Sequence, residues 1–169
     1  MMDACHAGAA LLLATAACRA AAPTARVCAG SATASDPVPY STVDLGRRAR
    51  GGIPYIEGPA IRAVVRSDSE WTRTWRAIAD SVPRPQLDFR DSIVVVVASR
   101  VFTSGPVELN IEDVYRCRGD SAIVVSVRLH EHENKQDYGD RRLSAVELSR
   151  SAVGERFIRF IDLPTVTDR

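Results

Sequence analysis

Ile93-Val94-Val95-Val96-Val97 is the run that most limits what this chain can fold into. All five residues are β-branched, which stiffens the side chain and favours a pleated strand. With no polar residue in alternation, neither face of that strand is suited to water. It therefore reads as a central strand that needs a cover on both sides. The segment before it offers one cover. Ser67-Asp68-Ser69-Glu70 is a capping box, in which the Ser67 hydroxyl accepts from amide 70 and the Glu70 carboxylate reaches back to amide 67. Trp71, Trp75, Ile78 and Ala79 then recur at the spacing of a single helical face, with Arg73, Thr74 and Arg76 turned to water. Pro83 and Pro85 stop the helix, which is expected over about 67–80. The tryptophan pair reads as core, because aromatics of this size dominate core packing.

The rest of the domain alternates. Tyr40 to Leu45 and Ala60 to Val65 read as strands before the helix. After the valine run, Thr103-Ser104-Gly105-Pro106 turns the chain, and Val107, Leu109 and Ile111 point inward. The parity fails at Val114, so a bulge is expected near Glu112-Asp113. Arg118-Gly119-Asp120 matches a cell-adhesion tripeptide, but Gly-Asp between alternating strands is what a tight hairpin needs. Ile123, Val125, Val127 and Leu129 form the next inner face. Residues 130–142 are wholly polar and read as a solvated hairpin loop. Strands over Arg142–Leu148 and Arg156–Leu163 close the domain, and residues 164–169 read as a frayed tail after Pro164. The class is α+β, mostly β: an antiparallel sandwich or partly open barrel of about seven strands with one packed helix, over residues 40–163.

The N-terminus carries a different message. Residues 7–17, AGAALLLATAA, are too short to span a membrane and suit the apolar core of an export signal. Ala16-Ala17 before Cys18 is similar to a bacterial lipobox, giving a signal peptide over 1–17 and a lipidated Cys18 as the first mature residue. Thr15 stands where leucine is usual, and residues 1–8 hold no Lys or Arg. Cleavage after Ala20-Ala21-Ala22, releasing the protein, is the other reading. An anchor of this kind holds a protein to a membrane without spanning it. Arg19 in place of an aspartate favours the outer membrane or cell surface. Residues 18–39 are rich in Ala, Thr, Ser and Pro and read as a flexible tether.

Four cysteines are present, and export removes Cys5 and Cys18 from the pairing problem. Cys28 and Cys117 are left in an oxidising compartment, either as a disulfide or as two free thiols. Neither lies in a Cys-x-x-Cys or Cys/His cluster. The formal net charge of +1 argues against a nucleic-acid binder that works by neutralising phosphates.

Little here suggests a reaction. His130 and His132 are two apart, so in an extended chain both point the same way and with Glu131 or Glu133 form a candidate metal pair. A site needs a further convergent ligand and an orienting shell, and the loop reading is preferred. Asp88, Asp91, Glu112, Asp113, His130 and His132 are the available acid–base groups, but no nucleophile elbow, His-Glu-x-x-His or phosphate loop accompanies them. No enzyme activity, cofactor or metal is expected. Asp88 reads as the cap of a local turn.

Glu70-Trp71 and Trp75, then Leu87-Asp88-Phe89-Arg90 and Ile93 to Val97, resemble the C-terminal domain of the PrcB-like proteins, a family named for a component of a protease complex. Thr103-Ser104-Gly105-Pro106 stands where that family has a Thr-Gly-Gly-Tyr turn, and residues 107–114 are similar to its next strand. The second glycine and the tyrosine are missing, and Ser144-Ala145-Val146 replaces a Ser/Thr-Pro-Tyr. Trp71, Trp75, Asp88, Phe89 and Gly105 are the matched positions, none of them catalytic. The resemblance implies a non-catalytic envelope lipoprotein that assembles with a secreted protease. A loop-based protease inhibitor is the second expectation, with residues 103–106 as its interaction loop on a β scaffold, since a rigid loop binds at low ordering cost.

Overall fold

A computed structural model describes residues 28, 35–46, 53–54, 59–80, 82–100, 107–132 and 140–168. In chain order the elements are β1 (Ser35–Pro37), β2 (Tyr40–Thr42), β3 (Ile53–Pro54), β4 (Ile61–Val65), α1 (Asp68–Ala79), β5 (Ser92–Ala98) and β6 (Val107–Cys117). β7 (Ala122–His132), β8 (Asp140–Arg141), β9 (Leu143–Ser149), α2 (Arg150–Val153), β10 (Phe157–Asp162) and β11 (Val166–Asp168) follow. One sheet runs β1-β6-β7-β10 with β11 also on β7; a second runs β2-β9-β5-β4; β3 and β8 form a small third pair. The fold is the expected mostly-β α+β sandwich with a packed helix.

The valine run explains the layering. Every residue of β5 is buried. Ile93, Val95 and Val97 face the other sheet, where they meet Leu109, Ile111, Val114, Ile123 and Val125. Val94 and Val96 face outward and are covered by Trp71, Trp75 and Ile78 of α1. Removing the apolar area of one such side chain from water contributes about 2 kcal/mol, so a strand apolar on both faces strongly favours two covers. The α1 cap forms nearly as expected. The Glu70 amide donates to Ser67 Oγ at 3.3 Å, but the Glu70 carboxylate accepts from the Arg66 amide at 2.6 Å rather than from amide 67.

β6 and β7 make a long antiparallel hairpin whose register shifts between Ile111 and Asp113, at the expected bulge. Its tip is the Arg118-Gly119-Asp120 turn. Gly119 sits at φ 80°, a left-handed conformation that side chains disfavour. The Asp120 amide closes the turn on the Cys117 carbonyl at 3.1 Å.

Four expectations need correction. Residues 35–39 belong to the folded domain: β1 pairs with β6, and buried Val38 donates its amide to the Val114 carbonyl at 2.8 Å. Pro37 and Pro39 obscured this, yet proline is tolerated on an edge strand. Residues 130–132 are not loop; they extend β7 and pair with both β6 and β11. The polar composition of this stretch reflects the end of a strand and not an absence of pairing. Pro164 does not end the order. Asp162 pairs with Val127 and Val166 with His130, so four steps on one strand match three on the other, and Pro164 lies in a one-residue bulge. Arg128 Nη1 donates to the Pro164 carbonyl at 3.0 Å and holds that bulge. Finally, β10 and β11 run parallel to β7, not antiparallel.

The choice between sandwich and barrel is settled at the two edges. At one, β6 and β9 approach closely enough for the Ile111 amide to donate to Ser144 Oγ at 3.3 Å. At the other, β4 and β10 do not pair and are joined by the Arg62–Asp162 ion pair at 2.7 Å. The two sheets thus lean together on one side and stay open on the other.

Candidate functional site

The expected family positions divide into two groups. Trp71 and Trp75 pack with ring centroids 5.1 Å apart at 54°, and both are buried. Each indole also has a polar duty: Trp71 Nε1 donates to the Pro85 carbonyl at 3.0 Å and Trp75 Nε1 to the Val82 carbonyl at 2.8 Å. The pair is core, and it also fastens the segment that returns to β5. Phe89 packs against the same cluster. Asp88 caps a turn, accepting from the Arg90 amide at 3.0 Å, and that bond followed by the Arg90 guanidinium holds its carboxyl below the usual value. Gly105, with Thr103, Ser104 and Pro106, lies outside the described residues, as does Cys18.

Two arginines, Arg141 buried and Arg150 half-buried, form a pattern that sequence reading missed. Arg141 is 1% exposed, and its guanidinium donates to the carbonyls of Ser99 (2.9 Å), Ala77 (3.3 Å) and Pro59. Burial pulls its pKa below the ordinary value. Arg150 does similar work, donating to the carbonyls of Arg66, Phe89 and Ser92 at 2.8, 2.9 and 3.3 Å. These side chains satisfy backbone groups that leave the regular ladders, which would otherwise be buried without partners.

The open edge between β4 and β10 holds a crevice of about 250 Å³. Leu109, Leu129 and Leu163 supply apolar wall, and Arg62, Arg100 and Asp162 supply charge. Arg62 is braced by Asp162 and by the carbonyls of Ile61 (3.1 Å) and Ala98 (3.3 Å), while its buried Nε finds no acceptor among the described residues. An apolar slot with a few fixed polar groups is the usual form of a recognition site. Val107 pairs with Glu131 at this end of the hairpin, and the Ser99 amide bonds the Arg142 carbonyl at 2.9 Å. The residues that flank 101–106 and 133–139 therefore meet at the same end of the sandwich.

On the outer face of the first sheet, Glu112 gathers partners at the bulge. Glu112 Oε1 lies 3.1 Å from His130 Nε2, and Oε2 lies 3.4 Å from Arg128 Nε. Tyr40 donates its hydroxyl to the Glu112 carbonyl at 3.3 Å, and burial, then Asp113 and Glu112, push its phenol up. Among the described residues no group of three His, Cys, Asp or Glu is placed to hold a metal, and the His132 side chain lies outside them.

At the opposite end, Cys28 and Cys117 form a disulfide, with Cα atoms 5.7 Å apart. It sits in a small outer cluster with buried Tyr115 and Val124. Apolar residues on both sides of the strand at Ile123-Val124-Val125 were the clue to this second cover, by the same logic as the valine run. Cys28→Ser is expected to lower stability by about 3 kcal/mol, because the bond closes a long loop in the unfolded chain. Denaturant titration with and without reductant checks this; equal midpoints for the oxidised, reduced and substituted proteins would remove the bond's role.

Asp120 in the hairpin turn accepts from the Ala122 amide at 2.9 Å and pairs with Arg159 at 2.6 Å. The Ala122 bond first, then Arg159, holds its carboxyl below the ordinary 3.8. A depressed carboxyl contributes stability that is complete above its unfolded pKa and is lost as pH falls through the folded value. Asp120→Asn is thus expected to cost its full share of stability at neutral pH and progressively less below pH 3.8, which flattens the fall in stability there. Melting curves across that range, compared with the parent, decide it.

Against protein-family models, curated proteins and solved structures, the chain finds no match. The functional reading rests on its own residues and on the resemblance they carry.

Proposed function

We propose that this chain is a non-catalytic interaction module, exported and held to the cell envelope by a lipid on Cys18. It assembles with a secreted or envelope protease. The Cys28–Cys117 bond is the observation that carries the reading. Such bonds persist in oxidising compartments outside the cytosol, and this one follows an N-terminal segment with the character of an export signal. The protease partner is suggested by the PrcB-like pattern at Trp71, Trp75, Asp88 and Phe89. Those residues support the scaffold, so the contact surface is assigned elsewhere, to the crevice between β4 and β10. Its apolar wall and fixed charges suit a protruding segment of a partner.

The test is a crosslinked pull-down of the full chain from its native membrane, beside Thr165→Trp. That substitution adds bulk at an exposed residue of the crevice lining. Reproducible recovery of one protease by the parent and its loss in the variant is the expected result. Recovery of bulk envelope protein alone, where known complexes survive, would sink the proposal.

A further inference from the structure

We propose that the end of the sandwich formed by the Arg118–Ser121 turn and Phe157 rests on the lipid surface, so that the crevice end points away from the membrane. The inference rests on the reading of Cys18 as the lipidated residue and adds an orientation to it. Cys28 is bonded to Cys117, the last residue of β6. The tether therefore reaches the domain at Cys28, well before β1. From Cys18 to Cys28 is ten residue steps. At no more than about 3.6 Å per step, this allows about 36 Å even when fully extended, and less on average. The domain is held close to the bilayer by one defined end.

That end carries the most exposed large hydrophobic among the described residues. Phe157 is 54% exposed. It pairs in register with Ala122, the first residue of β7 after the turn. Together with Gly119, Asp120, Ser121, Glu155 and Arg156 it borders an open surface depression. Ser35, the first residue of β1, pairs with Cys117 at the same end. An exposed phenylalanine beside a short membrane tether suits shallow burial at the headgroup boundary, where Trp, Phe and Leu side chains insert. Net charge at this end is small: Arg159 binds Asp120, Arg118 binds Asp36, and Arg156, which donates to the Val153 carbonyl, lies next in sequence to Glu155. Contact through Phe157 and the anchor should accordingly change little with salt. The crevice lies at the far end of the same strands. Leu109 lines it and is eight residues before Cys117 on β6. At about 3.3 Å per residue the two ends are about 26 Å apart.

The experiment uses the full lipidated chain in phosphatidylcholine vesicles with brominated acyl chains, which quench nearby tryptophan. The native Trp71 and Trp75 are buried and supply the background. Phe157→Trp reports on the proposed contact, and Thr167→Trp in β11 reports on the crevice end. Severalfold stronger quenching at position 157 than at 167, little altered by salt, is expected. Equal quenching at both positions, or stronger quenching at 167, would overturn the orientation. Intact mass gives the state of Cys18 separately. An unmodified Cys18 sinks the anchor reading by itself; the surface is then judged with the unlipidated chain added to the same vesicles, where quenching at 157 upholds it and none overturns it.

Discussion

Trp71→Ala lowers the unfolding free energy by about 4 kcal/mol, the expected cost of truncating a large aromatic in a closed core. Trp71 is fully buried between α1 and the outward face of β5, against its neighbour Trp75. The loss has two parts, separable by a second variant. Trp71→Phe keeps most of the apolar volume but removes the indole donor, leaving the Pro85 carbonyl without its partner. One such lost bond costs about 1–2 kcal/mol. Guanidinium titration of both variants, with stability compared at equal slope, checks the partition. A Trp71→Ala loss under about 1.5 kcal/mol would mean that α1 is peripheral, contrary to the usual cost of such a cavity.

Arg141→Met costs a similar amount for a different reason. Methionine fills part of the space but donates nothing, so the carbonyls of Ser99, Ala77 and Pro59 lose a shared partner. Leaving a buried acceptor unsatisfied costs about 1–3 kcal/mol, and with three at risk the expected loss is about 4 kcal/mol. Arg141→Lys recovers only part of it. A lysine ammonium has three donors around one nitrogen, whereas the guanidinium spreads five over a rigid fork. The three acceptors come from different parts of the chain, including the end of α1 and the segment after β5. Amide hydrogen exchange on Arg141→Met should therefore rise at all three places together. A Lys variant as stable as the parent would show that charge, and not fork geometry, holds the junction.

The two variants mark what could be read ahead of the structure. Trp71 announced itself through periodicity and a cap, both local properties of consecutive residues. Arg141 looked like any polar residue at the end of a loop. Its burial arises because Pro59, Ala77 and Ser99 converge on it from up to 82 residues away. The same split applies at the candidate surface. Asp88 as a turn cap and Arg118-Gly119-Asp120 as a hairpin were legible, since each depends on neighbours within a few positions. The crevice was not, because Arg62 and Asp162 are 100 residues apart and meet only where two strand edges fail to pair.

Sequence by itself determined the layers. Five β-branched residues with no polar alternation required covers on both faces, and the Trp71–Ala79 stripe supplied one. It also determined the bulge, because an odd residue in an alternating strand must be absorbed somewhere. Tertiary structure decided the ends and edges. Residues 35–37 and 166–168 are short pieces beside prolines with too little local preference to declare themselves. They become strands only because β6 and β7 offer them unpaired backbone groups. The parallel run of β10, the open edge beside β4 and the joining of Cys28 to Cys117 have the same origin. Each depends on which distant groups still lack partners once the central strands have paired, and consecutive residues carry no record of that.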